Sequence, residues 1–169
     1  MLEARGITYA HPGAREPLYR DFDLAVGPGE RVALSAPSGF GKTTLCRLLA
    51  GYERPQSGKI LVDGVPLPRR GTCPVQLILQ HPEAAVDPRM RMERTLAEAG
   101  EVPQGLLDDL GIQEKWLTRF PHELSGGELQ RFCIARALMA NPRYLVADEI
   151  STMLDAVTQA QIWRFLVTE

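Results

Sequence analysis

Short apolar runs alternate along this chain with longer segments in which apolar residues recur at the spacing of one helix face. The short runs are bounded by glycine, proline or acidic residues and predict buried strands. They lie at residues 31–35, 58–64, 75–79 and 144–147. The helical spacing predicts helices at 42–50, 92–99, 104–110, 125–139 and 159–167. This order of strand–loop–helix, further strands, a helical stretch and a final strand–helix unit predicts an α/β fold with an inserted all-helical lobe.

Local signals mark two of the helix ends. Gly51 follows the helix predicted at 42–50 and is a plausible C-cap. Ser125 stands three residues before Glu128, which is the spacing of a capping box at a helix start. Residues 65–74 are rich in proline and predict a connection between strands.

Composition limits the class of protein. The 169 residues suit one domain, and 44% hydrophobic with 24% charged residues is the balance of a globular domain with a buried core. The formal net charge of −2 gives no sign of a nucleic-acid partner. The sequence contains no apolar run long enough to span a membrane, and its first residues lack the pattern of a signal peptide. Cys46, Cys73 and Cys133 show no metal-ligand spacing and are expected to be reduced, small apolar side chains.

A glycine-rich loop at residues 36–43 leads into the first predicted helix. It matches the phosphate-loop pattern G-x-x-x-x-G-K-[ST] except at the first position, where Ala36 replaces glycine. Because a Cβ at this position disfavours a positive φ, we expect a slightly altered loop that still binds nucleotide. The Lys42 ammonium can reach the β- and γ-phosphates of ATP, and the Thr43 hydroxyl can ligate Mg²⁺. The predicted nucleotide-binding residues here are Ser38, Gly39, Phe40, Gly41, Lys42, Thr43 and Thr44.

Two acidic residues, Asp148 and Glu149, follow the last apolar run. In enzymes with a phosphate loop, such an aspartate holds Mg²⁺ directly or through water. The adjacent glutamate is suited to polarise the attacking water as a general base. Together with the loop, this pair predicts an ATPase.

A second anion-binding pattern lies at the start of the helix predicted at 125–139. Ser125, Gly126 and Gly127 open that helix, and a helix start of this kind binds phosphate. One domain has no need of two γ-phosphate sites, whereas a dimer does if each serine closes over its partner's nucleotide. Residues 124–131, LSGGELQR, resemble the LSGGQ signature of ATP-binding cassette (ABC) proteins.

Other residues follow in the order of this family. Tyr9 stands where the family has an aromatic residue that stacks on adenine, and Gln80 resembles the glutamine that contacts Mg²⁺ and the attacking water. Residues 151–155, STMLD, resemble the D-loop at the dimer interface. The resemblance implies a phosphate-loop NTPase fold with a RecA-like core and an antiparallel β portion near the N-terminus. It implies a core at about 1–82 and 140–169 and a helical subdomain at about 83–139.

Finer features point to a subgroup. Residues 120–127, FPHELSGG, are similar to a segment of oligopeptide, dipeptide and nickel importer ATPases, and residues 80–89 and 129–138 are similar to that subgroup as well. The resemblance implies an ATPase subunit on the cytoplasmic face of the membrane. It also implies a head-to-tail dimer with a second cassette and an attachment to transmembrane permease subunits. His122 has no potential metal ligands nearby and is interpreted as a structural residue beside the signature.

Besides Ala36, the chain departs from the family in two places. Ile150 follows the predicted general base where the family usually has proline. The family's switch histidine comes after the D-loop and one more strand, but His11, His81 and His122 all lie upstream. The sequence therefore resembles a cassette without its final strands and helix, and we expect nucleotide binding with weak or absent hydrolysis. The alternatives are a soluble ABC ATPase of the translation-factor or DNA-repair type, and a non-catalytic nucleotide-binding or assembly module.

Overall fold

The computed structural model describes residues 1–37, 39–150, 152 and 154–168. The strands are β1 (Leu2–Tyr9), β2 (Tyr19–Val26), β3 (Ser57–Val62), β4 (Val65–Pro66), β5 (Val75–Ile78) and β6 (Tyr144–Ala147). The α-helices are α1 (Lys42–Leu49), α2 (Met92–Ala97), α3 (Gln104–Asp109), α4 (Glu114–Leu117), α5 (Gly126–Met139) and α6 (Ala156–Thr168). Short 3-10 helices lie at Pro82–Ala85 and Pro121–Glu123.

The chain divides into two compact units. The first unit comprises residues 1–77 with 143–146, and the second comprises residues 78–142 with those from 147 onward. The predicted domain limits, a core at about 1–82 and 140–169 and a helical subdomain at about 83–139, stay a prediction. No helix in the described part of the chain is long and apolar enough to cross a membrane.

An antiparallel sheet with the strand order β2-β1-β3-β4 forms much of the first unit. The register pairs Leu2 with Val26 of β2 on one side and with Val62 of β3 on the other, so β1 lies between β2 and β3. Leu2, Ala4 and Ile7 of β1 are buried, and they share this core with the inner residues of β3. This sheet confirms the antiparallel portion expected near the N-terminus.

The strands predicted at 75–79 and 144–147 are confirmed, and β5 and β6 form a two-stranded sheet. The buried strand predicted at residues 31–35 is wrong. This stretch belongs to no strand, and Val32 and Leu34 are 45% and 38% exposed. An apolar strand is stable only where neighbouring strands pair with it and both of its faces are covered. No described strand pairs with residues 31–35. Three apolar residues in a row therefore do not suffice to bury it.

The second unit is largely helical and confirms the helices predicted at 92–99, 104–110 and 125–139 to within about two residues. Phe132 and Ile134 of α5 are fully buried, as are Met92 and Leu96 of α2, which packs against α5. Helix α6 begins three residues before its predicted start. The periodicity missed α4 and both 3-10 helices, which have four residues or fewer and are too short to show a period.

Candidate functional site

The phosphate loop owes its shape to two glycines with left-handed backbone. Gly39 has φ 83° and Gly41 has φ 93°, and α1 begins directly after Gly41. Lys42 lies in the first turn, where its Nζ donates to the carbonyl of Ala36 at 2.8 Å. Ala36 is not among the residues with positive φ, so its Cβ meets none of the strain expected from replacing the first glycine. Ser38, a predicted binding residue, lies outside the described residues.

The neighbours of the loop could not be predicted from its motif. The Tyr19 hydroxyl donates to the Gly41 carbonyl at 2.9 Å, and burial raises the pKa of this tyrosine. A Cβ added at Gly41 would lie 2.8 Å from both Leu18 Cδ2 and Tyr19 Oη. Glycine at position 41 is therefore required by its backbone angle and by close packing. Tyr19 lies 22 residues away along the chain, and no spacing rule connects it with the loop.

Tyr9, the predicted adenine-stacking residue, ends β1 and is only 3% exposed. Its hydroxyl donates to Glu53 Oε2 at 3.2 Å, and burial together with this carboxylate raises its pKa. The ring beside Tyr9 that is exposed belongs to His11, and it meets the Tyr9 ring edge-on at a centroid distance of 5.2 Å. His11 Nε2 lies 3.3 Å from the Thr44 hydroxyl, in the first turn of α1. His11, which no sequence motif marks, is thus the accessible ring beside the loop.

Gln80 and Glu149 lie in the second unit and contact each other. The Gln80 amide Nε2 donates to Glu149 Oε2 at 3.1 Å, although 69 residues separate them. Asp148 is 4% exposed, and its backbone N–H donates to the Ile78 carbonyl at 3.0 Å. Glu149 has φ 50°, a left-handed angle that costs a non-glycine residue free energy. The structure therefore brings together three of the residues predicted to act on Mg²⁺ and water.

Ser125 caps α5 as predicted. Its hydroxyl accepts from the Glu128 N–H at 3.3 Å, and the Glu128 carboxylate accepts from the Ser125 N–H at 2.8 Å. The hydroxyl accepts in this bond, so its own proton can be donated to an anion. Gly126 and Gly127 form the first turn, where their lack of side chains permits close approach of a phosphate. The Glu128 carboxylate opposes an anion at this helix start by its charge.

The segment compared with the D-loop is described only in part, because Ser151 and Met153 lie outside the described residues. Asp155 acts as a cap for α6: its carboxylate accepts from the Thr158 N–H at 3.0 Å and from the Thr158 hydroxyl at 2.7 Å. These bonds lower the pKa of Asp155 below its usual value. The cap explains why α6 begins at Ala156 instead of Gln159.

In the described part of the chain, no group of three or more His, Cys, Asp or Glu side chains is arranged to hold a metal ion. His122 stacks on Phe120, with ring centroids 5.8 Å apart. All three cysteines are reduced thiols, and burial raises the pKa of Cys133 to about 11.

Solved structures with the same fold are ATP-binding cassettes. The dimeric cassette MJ0796, in a post-hydrolysis state bound to ADP and Pi, superposes with a TM-score of 0.84, covers 98% of this chain and 81% of its own, and shares 23% identity. This likeness establishes the fold, a phosphate-loop α/β fold of the ABC type.

Sequence relatives define the family. The ABC transporter family model matches residues 19–152, and the chain belongs to that family. It is 38% identical to a nickel import ATP-binding protein NikE of Brucella abortus over 87% of this chain and 62% of the relative. A nickel import system ATP-binding protein NikE of Staphylococcus aureus is 32% identical over 98% of this chain and 73% of the relative. The chain therefore spans about three-fifths of the length of the Brucella relative.

Proposed function

We propose that this chain binds Mg²⁺–ATP and serves as the ATP-hydrolysing part of an ABC importer subunit. The observation that carries the proposal is the 3.1 Å hydrogen bond from the Gln80 amide to the Glu149 carboxylate, with Asp148 adjacent in sequence. A buried aspartate, a glutamate general base and an amide that orients both water and metal form the set that phosphoryl transfer to water requires.

Each group has a role that follows from its chemistry. The N–H groups around Gly39 and Gly41 and the start of α1 bind the phosphates, and Lys42 exchanges its bond to the Ala36 carbonyl for one to the β- and γ-phosphates. Phe40, Thr43 and Thr44 complete the loop, and the exposed His11 ring contacts the base in place of the buried Tyr9.

The residues proposed for Mg²⁺ fit a hard cation. Thr43 supplies a hydroxyl, Asp148 a carboxylate and Gln80 an amide carbonyl, and all three are oxygen ligands. Since the Gln80 Nε2 is directed to Glu149, its Oε1 is the atom available to the metal or the attacking water. When bound, Mg²⁺ would neutralise charge on the phosphates. Glu149 would take the proton of the attacking water.

We further propose that Ser125, Gly126 and Gly127 act on the nucleotide of a second cassette. A capped helix start with a donating serine suits a γ-phosphate, and ATP would close a head-to-tail dimer that hydrolysis opens. The fold shared with a dimeric cassette supports this arrangement. The partner cassette can be identical or paralogous.

Nickel is the proposed cargo, because two relatives above 30% identity are named nickel import proteins. Peptide import is the related alternative from the subgroup resemblance. In either case the chain would act at the cytoplasmic face of the membrane, attached to transmembrane permease subunits. Co-purification of the chain with such a permease tests the assignment, and recovery without any membrane protein would favour a soluble ABC ATPase.

Calorimetric titration with Mg²⁺–ATP tests the binding. We expect a dissociation constant below millimolar that Lys42→Ala raises strongly, whereas Lys59→Ala, an exposed lysine in β3, leaves it unchanged. No binding at millimolar ATP would overturn the proposal.

Single-turnover hydrolysis with excess protein then compares the wild type with Glu149→Gln. Equal rates would favour a non-catalytic nucleotide-binding module.

A further inference from the structure

Helix α5 is attached to the segment after β5 by three regularly spaced hydrogen bonds from its side chains. Gln130 donates to the Leu79 carbonyl at 3.2 Å. The Cys133 thiol donates to the Pro82 carbonyl at 3.6 Å, and the Arg136 guanidinium donates to the Ala85 carbonyl. Each donor lies 51 residues after its acceptor, so every third residue of the helix meets every third residue of the segment.

The first of these bonds adjoins the proposed catalytic pair. Gln130 holds the carbonyl of Leu79, and the next residue, Gln80, donates to Glu149. The carbonyl of Leu79 and the N–H of Gln80 belong to one rigid peptide plane. A side chain that fixes this carbonyl therefore restricts the position of the Gln80 Cα, to which the Gln80 side chain is attached.

The environment of Gln130 indicates that stability is not the reason for its presence. The side chain is fully buried, and its Oε1 accepts no hydrogen bond from any residue that the structure describes. A buried acceptor without a partner costs free energy, whereas an apolar side chain of the same shape costs nothing of this kind. A glutamine at this position lowers stability unless its amide is needed.

We propose that Gln130 is a positioning residue that holds Gln80 in contact with Glu149. Through Gln130, helix α5, which Ser125 caps, and the Gln80–Glu149 pair keep a constant spacing, so that a displacement of one is passed to the other. This inference rests on the proposed function for its catalytic consequence, but the positioning itself does not depend on nucleotide.

The test uses Gln130→Met, which keeps the length of the side chain and removes both the donor and the orphan acceptor. Its matched control is Gln76→Met. The Gln76 amide also donates to a backbone carbonyl, that of Cys73 at 2.9 Å, in a bond that involves neither member of the pair. The first readout is the side-chain amide resonance of Gln80 in an NMR spectrum without nucleotide. It is assigned by its loss in Gln80→Met and its shift in Glu149→Ala.

We expect Gln130→Met to move the Gln80 resonance toward its position in Glu149→Ala, and Gln76→Met to leave it in place. The unfolding midpoint of Gln130→Met should equal or exceed that of the wild type. A Gln80 resonance that does not move would overturn the proposal. A lowered midpoint accompanied by changes throughout the spectrum would also overturn it, because that result shows a structural role.

A second readout connects the proposal with activity. In single-turnover hydrolysis, Gln130→Met should lower the rate roughly tenfold at unchanged ATP affinity, since small misplacements of reacting groups are costly. An unchanged rate beside a moved resonance would overturn the catalytic part of the proposal. If the wild-type chain binds no ATP, the proposed function fails, while the Gln80 resonance still decides whether Gln130 positions it.

Discussion

The Gln80 side chain donates a 3.1 Å hydrogen bond to the carboxylate of Glu149, a residue with left-handed backbone at φ 50°. The carbonyl of this residue also accepts from the Thr152 hydroxyl at 3.1 Å, which helps to hold the turn. A non-glycine residue in this region stores free energy that its surroundings must offset. A strained glutamate in contact with a polar amide is expected where chemistry, not stability, selects the residue.

Substitution of Glu149 should separate stability from activity. Glu149→Gly removes the left-handed strain and should raise the free energy of unfolding by up to about 1 kcal/mol while abolishing hydrolysis. Glu149→Gln, whose Oε1 can still accept from Gln80, should be as stable as the wild type. Like Glu149→Gly, it should not hydrolyse ATP. Urea unfolding and single-turnover hydrolysis measure the two effects.

The control for this prediction is Asn141→Gly, which removes another left-handed residue, at φ 48°, from the same unit. It should leave hydrolysis unchanged. A destabilised Glu149→Gly variant would show that residue 149 is not strained, and one that retains wild-type hydrolysis would show that it is not catalytic.

Substitutions at Gly41 and Ala36 of the phosphate loop should differ strongly in their effects. Gly41→Ala introduces a Cβ that collides with Leu18 and Tyr19 at a left-handed angle, so it should destabilise the fold by about 1–3 kcal/mol and abolish ATP binding. Ala36→Gly should change ATP affinity less than twofold, because Ala36 has no positive φ to relieve. Thermal unfolding and calorimetric titration measure both variants. Tighter ATP binding by Ala36→Gly would show that the alanine distorts the loop.

His11, not Tyr9, should contact the nucleotide base. His11→Ala should weaken ATP binding by about fivefold or more, the scale of one lost stacking contact, and leave binding of inorganic tripolyphosphate unchanged. Calorimetric titration with both ligands measures this difference. Tyr9→Phe, which loses only the hydroxyl bonded to Glu53, and His122→Ala serve as controls and should bind ATP normally. If His11→Ala binds ATP as tightly as the wild type, His11 does not contact the base.

Acid should unfold the chain partly through the cap of α6. The pKa of Asp155 is lowered in the folded state by the N–H and the hydroxyl of Thr158. Its ionised form therefore stabilises the fold above the pKa of the unfolded chain, near 4, and this contribution is lost as the pH falls through the lower folded value. Asp155→Asn should flatten the dependence of stability on pH below about 4.

Denaturant unfolding between pH 2 and 7 measures this effect. The matched control is Asp109→Asn at the exposed end of α3, which should leave the slope unchanged. An Asp155→Asn variant with the pH dependence of the wild type would show that the cap carries no charge-dependent stability.

Local sequence determined much of this protein. The spacing of Ser125 and Glu128 specified the capping box, and Gly39 and Gly41 specified the turns before α1, because these features depend only on residues within one or two turns of the chain. The periodicity gave the long helix α5 and the strands β5 and β6 for the same reason. The order of the motifs identified the family.

Only the tertiary structure decided which side chains meet across long separations. It left residues 31–35 exposed, buried the ring of Tyr9 and left that of His11 accessible, and placed Tyr19 against Gly41. It also set three residues of α5 against the carbonyls of Leu79, Pro82 and Ala85. The physical reason is that burial and long-range hydrogen bonds depend on which surfaces the fold brings together. A periodic pattern or a short motif contains no such information.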